Sequence, residues 1–256
     1  MRRRTFLVGL GGATASLAGC AGVSPPRADR DPTRTPEATV TEVPLAAQGF
    51  PSTVCEEEVN EEFHIRAIVE PAFGDDWSGL DIDSKYIRNG DGLSASMTVV
   101  GLEAVDRARA YPLSVLWSHE IVNDDFGGPV MVTYCSLCRS GMVAERTVQG
   151  EGTVFGVSGL LWQAPEVNVR AAEQDGDVSG ATVNESDVDI RSSGNPVMYD
   201  EATRSYWSQI LATAICGPME GKDLALVPST LTTWGEWRGD HPDTDLLLPP
   251  PHSTLM

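Results

Sequence analysis

The chain has 256 residues, of which 37 are acidic and 18 are lysine or arginine, for a formal charge of -19. A surplus of that size repels a phosphate backbone and excludes nucleic acid as a natural partner. Lys85 and Lys222 are the only lysines, and an acid-rich, lysine-poor surface suits molar salt, where the Debye length falls to ~3 Å, so a halophilic and archaeal source is expected.

The first seven residues, Met1-Arg2-Arg3-Arg4-Thr5-Phe6-Leu7, place a basic cluster before an uncharged run that ends at Leu17. That run is too short to span a bilayer and reads as the core of a signal peptide. Arg3-Arg4 followed by Thr5-Phe6-Leu7 resembles the twin-arginine export consensus, and Leu17-Ala18-Gly19-Cys20 resembles a lipobox whose cysteine takes the lipid. Residues 1–20 are therefore expected to direct export, leaving Cys20 as a lipid anchor on the outer face of the cytoplasmic membrane. Losing Arg2, Arg3 and Arg4 with the signal takes the charge from -19 to -22.

Residues 21–43 are rich in Pro, Thr, Asp and Arg without apolar periodicity, which predicts a disordered stalk. Residues 44–248 are long enough for one domain with a sizeable core, and residues 249–256 form a Pro-rich tail. Within the domain, β-favouring runs fall at Ser114 to Trp117, Pro129 to Tyr134, Met142 to Val148, Thr153 to Val157, Val197 to Asp200 and Leu224 to Val227. With Gly127-Gly128 and Gly150-Glu151-Gly152 as turns, these predict hairpins rather than βαβ units. Ser205 to Leu211 suits either strand or helix, and Thr233-Trp234-Gly235-Glu236-Trp237 predicts a short helix capped by Thr232 or Thr233, with Glu236 in its first turn. Residues 163–193 lack aromatics and are rich in Asp, Glu, Ser and Gly, which predicts an acidic surface insertion. The expected fold class is α+β, a single antiparallel-β-rich domain with short helices.

The strings Arg109-Ala110-Tyr111-Pro112, His119 to Asp124, Thr133-Tyr134-Cys135-Ser136-Leu137-Cys138 and Phe155-Gly156-Val157-Ser158-Gly159 stand in order with Met198-Tyr199-Asp200, Trp207-Ser208-Gln209 and Thr233-Trp234. Together they resemble the family named domain of unknown function 3179, over about residues 63–248. Two departures stand out. Ser136 occupies a position that is usually proline in the family, and residues 163–193 interrupt a passage that the family makes almost directly. The resemblance implies a domain and no activity.

Four cysteines remain beyond Cys20, and Cys55, Cys135, Cys138 and Cys216 admit three full pairings. Cys135 and Cys138 form a Cys-x-x-Cys where an apolar run gives way to a turn. Three chemistries are open to it. A soft metal suits paired thiolates: zinc would need His119 and Cys216 as further ligands, whereas copper(I) needs fewer, with Met131, Met142 and Met198 as possible helpers. Thiol–disulfide exchange uses one cysteine to attack and its neighbour to resolve, although Gly141 and the β-favouring run after it argue against the long helix that would stabilise the thiolate. A structural disulfide is the third. The preferred expectation is a carrier or accessory factor, not a high-turnover enzyme, binding copper or zinc through Cys135, Cys138, His119 and Cys216; an envelope oxidoreductase and a non-catalytic module follow.

His119-Glu120-Ile121-Val122-Asn123 begins like a zinc-protease motif but has Asn123 in place of the second histidine, so it cannot close a zinc site. Gly156-Val157-Ser158-Gly159-Leu160 falls one residue short of a nucleophile elbow and reads as a tight turn. Glu120, Asn123, Asp124, Tyr134, Tyr199, Asp200, Trp207 and Gln209 are the candidate pocket residues, Trp207 doubling as core.

Overall fold

Three larger sheets and one two-stranded ribbon frame the described residues. The computed structural model describes residues 55–59, 65–87, 93–162 and 195–256. The expected signal, Cys20, the stalk and the acidic segment 163–193 lie outside the described residues. The chain divides into two units, Met1–Glu42 and Val43–Met256, and the three sheets belong to the second.

The central sheet has the order β16-β1-β5-β6-β7, with β1 at Ile68–Glu70, β5 at Ile121–Asp125, β6 at Pro129–Cys135, β7 at Ser140–Glu145 and β16 at Thr254–Leu255. Its strands carry apolar side chains on both faces, as a sheet covered on both sides requires. Ile68, Val122, Val130, Val132 and Val143 enter one core, and Ile121, Met131 and Ala144 enter a second. The first core lies against a sheet of order β14-β3-β4-β15-β2, made of β2 (Ala72–Gly74), β3 (Thr98–Ala104), β4 (Arg107–Pro112), β14 (Thr230–Thr233) and β15 (Asp245–Leu248). Val99, Leu102, Tyr111, Leu246 and Leu247 are its contribution. The second core lies against β10 (Phe155–Trp162), β11 (Asn195–Asp200), β12 (Tyr206–Ser208) and β13 (Thr213–Cys216), through Phe155, Met198, Trp207 and Ala214.

The third sheet is antiparallel throughout, and in the other two larger sheets β3 with β4, β5 with β6 and β6 with β7 pair as hairpins. The other two sheets are mixed, because β1 runs parallel to β5 and β15 parallel to β4. Gly127 and Gly128, at φ 76° and 144°, turn β5 into β6. Gln149 and Gly150, at φ 53° and 86°, turn β8 (Thr147–Val148) into β9 (Glu151–Gly152). The Ser205 to Leu211 stretch resolves as strand at β12.

Three local expectations are corrected. Ser114 to Trp117 lies in helix α1 (Leu113–His119): Pro112 at φ -61° opens the first turn, and burial of Val115 and Leu116 in the first core outweighs β propensity. Leu224 to Val227 forms a single bridge at Ala144↔Leu226, with two backbone hydrogen bonds to β7, in place of a ladder. Gly156 to Leu160 continues β10 instead of turning; Gly159 at φ 79° accompanies a register shift, and buried Ser158 donates to the Val197 carbonyl. The second helix, α2 (Trp234–Asp240), carries the anticipated cap: Thr233 and Glu236 form a complete capping box.

Candidate functional site

Strand β6 delivers Cys135 at its last position, and the chain returns into β7 at Ser140, directly opposite Cys135 in the ladder. The four residues between them are the hairpin loop, closed by Arg139 at φ 51°. Cys135 and Cys138 are joined as a disulfide with their Cα atoms 5.6 Å apart, inside the range a bridge permits. The two sulfurs differ in setting. Cys135 has no solvent exposure, whereas Cys138 is half-buried, and Leu137 at the loop apex is 54% exposed. The backbone N–H of Cys138 donates to Cys135 Sγ at 3.2 Å.

A polar cluster lies beside Cys138. Ser140 Oγ is 3.2 Å from Cys138 Sγ, and the Asn195 side-chain amide donates toward the same sulfur at 3.6 Å. Asn195 Nδ2 also donates to Ser140 Oγ (3.0 Å) and to Gln209 Oε1 (2.9 Å). Thr133 Oγ1 donates to the Met142 carbonyl and so accepts from Gln209 Nε2 at 3.1 Å, which fixes the orientation of the Gln209 amide. The backbone N–H of Ile210 donates to Asn195 Oδ1, and the Ile210 side chain is 62% exposed. Gln209 was among the expected residues; Ser140 and Asn195 were not. Ser140 carries a weak sequence signal, standing two residues beyond Cys138. Asn195 carries none, because it reaches the cysteines only through the pairing of β10 with β11.

Gln209 and Thr133 also wall a narrow cleft, too tight to admit water, with Glu120, Ile121, Val157 and Met198. Glu120 ends α1 at φ 56°, outside the backbone conformations an L residue ordinarily adopts. Only 6% of it is exposed, and burial pushes its carboxyl up to about 7.

The remaining expected residues are engaged elsewhere. His119 Nδ1 donates to the Arg66 carbonyl at 2.9 Å, which leaves Nε2 to accept from Tyr86 Oη at 2.7 Å; burial holds the imidazole below its ordinary value. Cys216 is bonded to Cys55, 161 residues away. The four expected metal ligands are thus not gathered, and among the described residues no group of three or more His, Cys, Asp or Glu is placed to hold an ion. Met131 and Met198 pack in the second core. Asn123 ties two sheets, donating to the Ile68 and Phe155 carbonyls and accepting from Phe155 N–H. Asp124 accepts from Arg109 and from Tyr111 Oη. Asp200 accepts from Thr203 and from the Trp207 indole. The Tyr199 ring lies under Arg204, and Tyr134 sits against Trp117. Of the candidate pocket residues, Glu120 and Gln209 line the cleft, and the others serve packing and hydrogen bonding.

The family model described as Protein of unknown function (DUF3179) matches residues 65–168 and 184–254, more than half of the chain. The chain belongs to the DUF3179 family. Comparison with curated proteins and with solved structures finds no match for it. In this DUF3179 domain the matched stretches contain Cys135, Cys138, Ser140, Asn195, Gln209 and Glu120, and the gap between them, 169–183, falls inside the expected acidic insertion. The site sets one fully buried and one half-buried cysteine beside amide and hydroxyl donors. Two cysteines so placed have the chemistry to form or break an S–S bond between them.

Proposed function

We propose that this DUF3179 domain, tethered by lipid at Cys20 outside the cytoplasmic membrane, performs thiol–disulfide exchange through Cys135 and Cys138 with cysteine-containing polypeptides. The observation that carries the reading is the convergence of the two sulfurs on each other at a hairpin tip with Cys138 half-buried, while His119 and Cys216 are bonded elsewhere. In the oxidising direction, a substrate thiolate attacks one sulfur of the pair. A mixed disulfide forms, the Cys135–Cys138 bond breaks, and its electron pair leaves on the other sulfur. A second substrate thiolate then attacks the mixed disulfide, so the substrate departs as a disulfide and its two thiol protons end on the cysteines. Exposed Leu137 and Ile210 offer a polypeptide apolar contact at this rim.

Soft-metal binding is the second reading, supported by the same convergence. Two thiolates suffice for copper(I), whereas zinc is left short of its usual four ligands. Incubating the protein with a reduced two-cysteine polypeptide tests both. The expected result is oxidation of one substrate per Cys135–Cys138 disulfide, lost in Cys135→Ala. No oxidation, or undiminished oxidation by the variant, overturns exchange. One copper per reduced chain, absent from Cys135→Ala, would support the metal reading instead.

A further inference from the structure

We infer that Cys138, the second cysteine of the motif, is the sulfur that exchanges with substrate, that Cys135 is the resolving thiol, and that Ser140 and Asn195 hold the Cys138 thiolate. This rests on the proposed exchange and assigns its direction through the pair.

Access decides the first point. A thiolate attacks a disulfide in line with the S–S bond, so the attacked sulfur must be reachable from solvent. Cys135 is fully buried at the end of β6 and Cys138 is not. Attack therefore falls on Cys138 Sγ, the mixed disulfide forms there, and the electron pair leaves on Cys135. The Cys138 N–H, already directed at Cys135 Sγ, receives that charge. In the reverse direction the Cys138 thiolate attacks a substrate disulfide, one substrate sulfur leaves as thiolate, and Cys135 then displaces the other.

The donor set decides the second. Asn195 Nδ2 has two hydrogens and three acceptors around it: Ser140 Oγ, Gln209 Oε1 and Cys138 Sγ. Ser140 has one hydroxyl hydrogen and two acceptors, Gln209 Oε1 at 2.9 Å and Cys138 Sγ at 3.2 Å. A disulfide sulfur is a weak acceptor, so in the oxidised protein the hydroxyl serves Gln209. When Cys138 becomes a thiolate the hydroxyl turns to the sulfur, and Gln209 Oε1 keeps the bond from Asn195. No buried group loses its partner in either state. Gln209 is itself held by Thr133 and by the Ser140 carbonyl, so the cradle needs no rearrangement beyond one hydroxyl rotation. The cradle does for a hairpin what a helix N-terminus does in other thiolate sites.

The test uses the full chain with Cys20→Ala throughout. Oxidised protein is treated with a small thiol, quenched in acid, and the adduct is located by peptide mass mapping; the adduct is expected on Cys138. Next, the single thiols of Cys135→Ala and Cys138→Ala are reacted with dithiodipyridine, and Cys138 is expected to react at least about tenfold faster. In the Cys135→Ala background, Ser140→Ala and Asn195→Ala should each raise the Cys138 thiol pKa, read from the pH dependence of alkylation, by about one unit, a tenfold smaller thiolate fraction near neutrality. Ser140→Thr, which keeps the hydroxyl, should restore it. All these variants retain Glu120, so its titration is common to them. An adduct on Cys135, or equal or faster reaction of Cys135, overturns the assignment while leaving exchange itself standing. An unchanged Cys138 pKa in both Ser140→Ala and Asn195→Ala overturns the cradle. Failure of the wild-type pair to exchange with any dithiol removes the proposed function beneath it.

Discussion

Replacing Glu120 with glutamine keeps the size, the backbone and the polar character of the side chain and removes only its capacity to ionise. In the folded protein, burial raises this carboxyl from 4.5 to about 7. At 1.36 kcal/mol per tenfold, that difference sets a ceiling of about 3 kcal/mol on the stability withheld when the group is charged. Because the folded value is the higher one, the neutral form is favoured by folding. Its contribution is complete below the unfolded value and is lost as pH rises through the folded value near 7. Denaturant unfolding followed by tryptophan fluorescence at about pH 5 and about pH 8.5 measures the loss. The advantage of Glu120→Gln over wild type should grow by about 2.5 kcal/mol between these two conditions, since about 0.8 kcal/mol is already withheld at the lower pH. An advantage that stays constant with pH would refute the reasoning, because any effect of glutamine on packing or on the φ 56° backbone is present at both.

His119 should act in the opposite sense: its folded value is depressed by burial, so its contribution is present above the ordinary value of 6.5 and lost as pH falls through the lower folded value. Acid titration of stability should show this loss in wild type and its absence in His119→Gln. Gly101→Ala sets a methyl group against the Trp237 ring, which is fixed by its bond to Thr244 and by its contact with His241. A cost of about 2 kcal/mol is expected in denaturant unfolding, with little change at Gly239, where a Cβ meets nothing within 4 Å. Dialysis from molar to low salt should unfold the protein as the self-repulsion of its -19 charge is unscreened, a change that circular dichroism reads directly.

What the sequence determined by itself is what short-range chemistry controls. Gly127-Gly128 supply the positive-φ backbone of a hairpin, Thr233 and Glu236 together cap the start of one helix, and a separation of three residues keeps Cys135 and Cys138 within reach of each other. The ordered strings of residues were enough to point to the family. Only the tertiary structure decided the rest. Three pairings of Cys55, Cys135, Cys138 and Cys216 were open until β13 came to lie beside residues 55–59. Ser114 to Trp117 became a helix because the first core had room for one. Glu120 became a carboxyl raised to about 7, and Asn195 a donor to Cys138, only when the sheet from β10 to β13 covered the second face of the central sheet. Burial and approach across that layer are set by residues roughly 60 to 90 positions apart in the chain, a separation that local propensity does not sense.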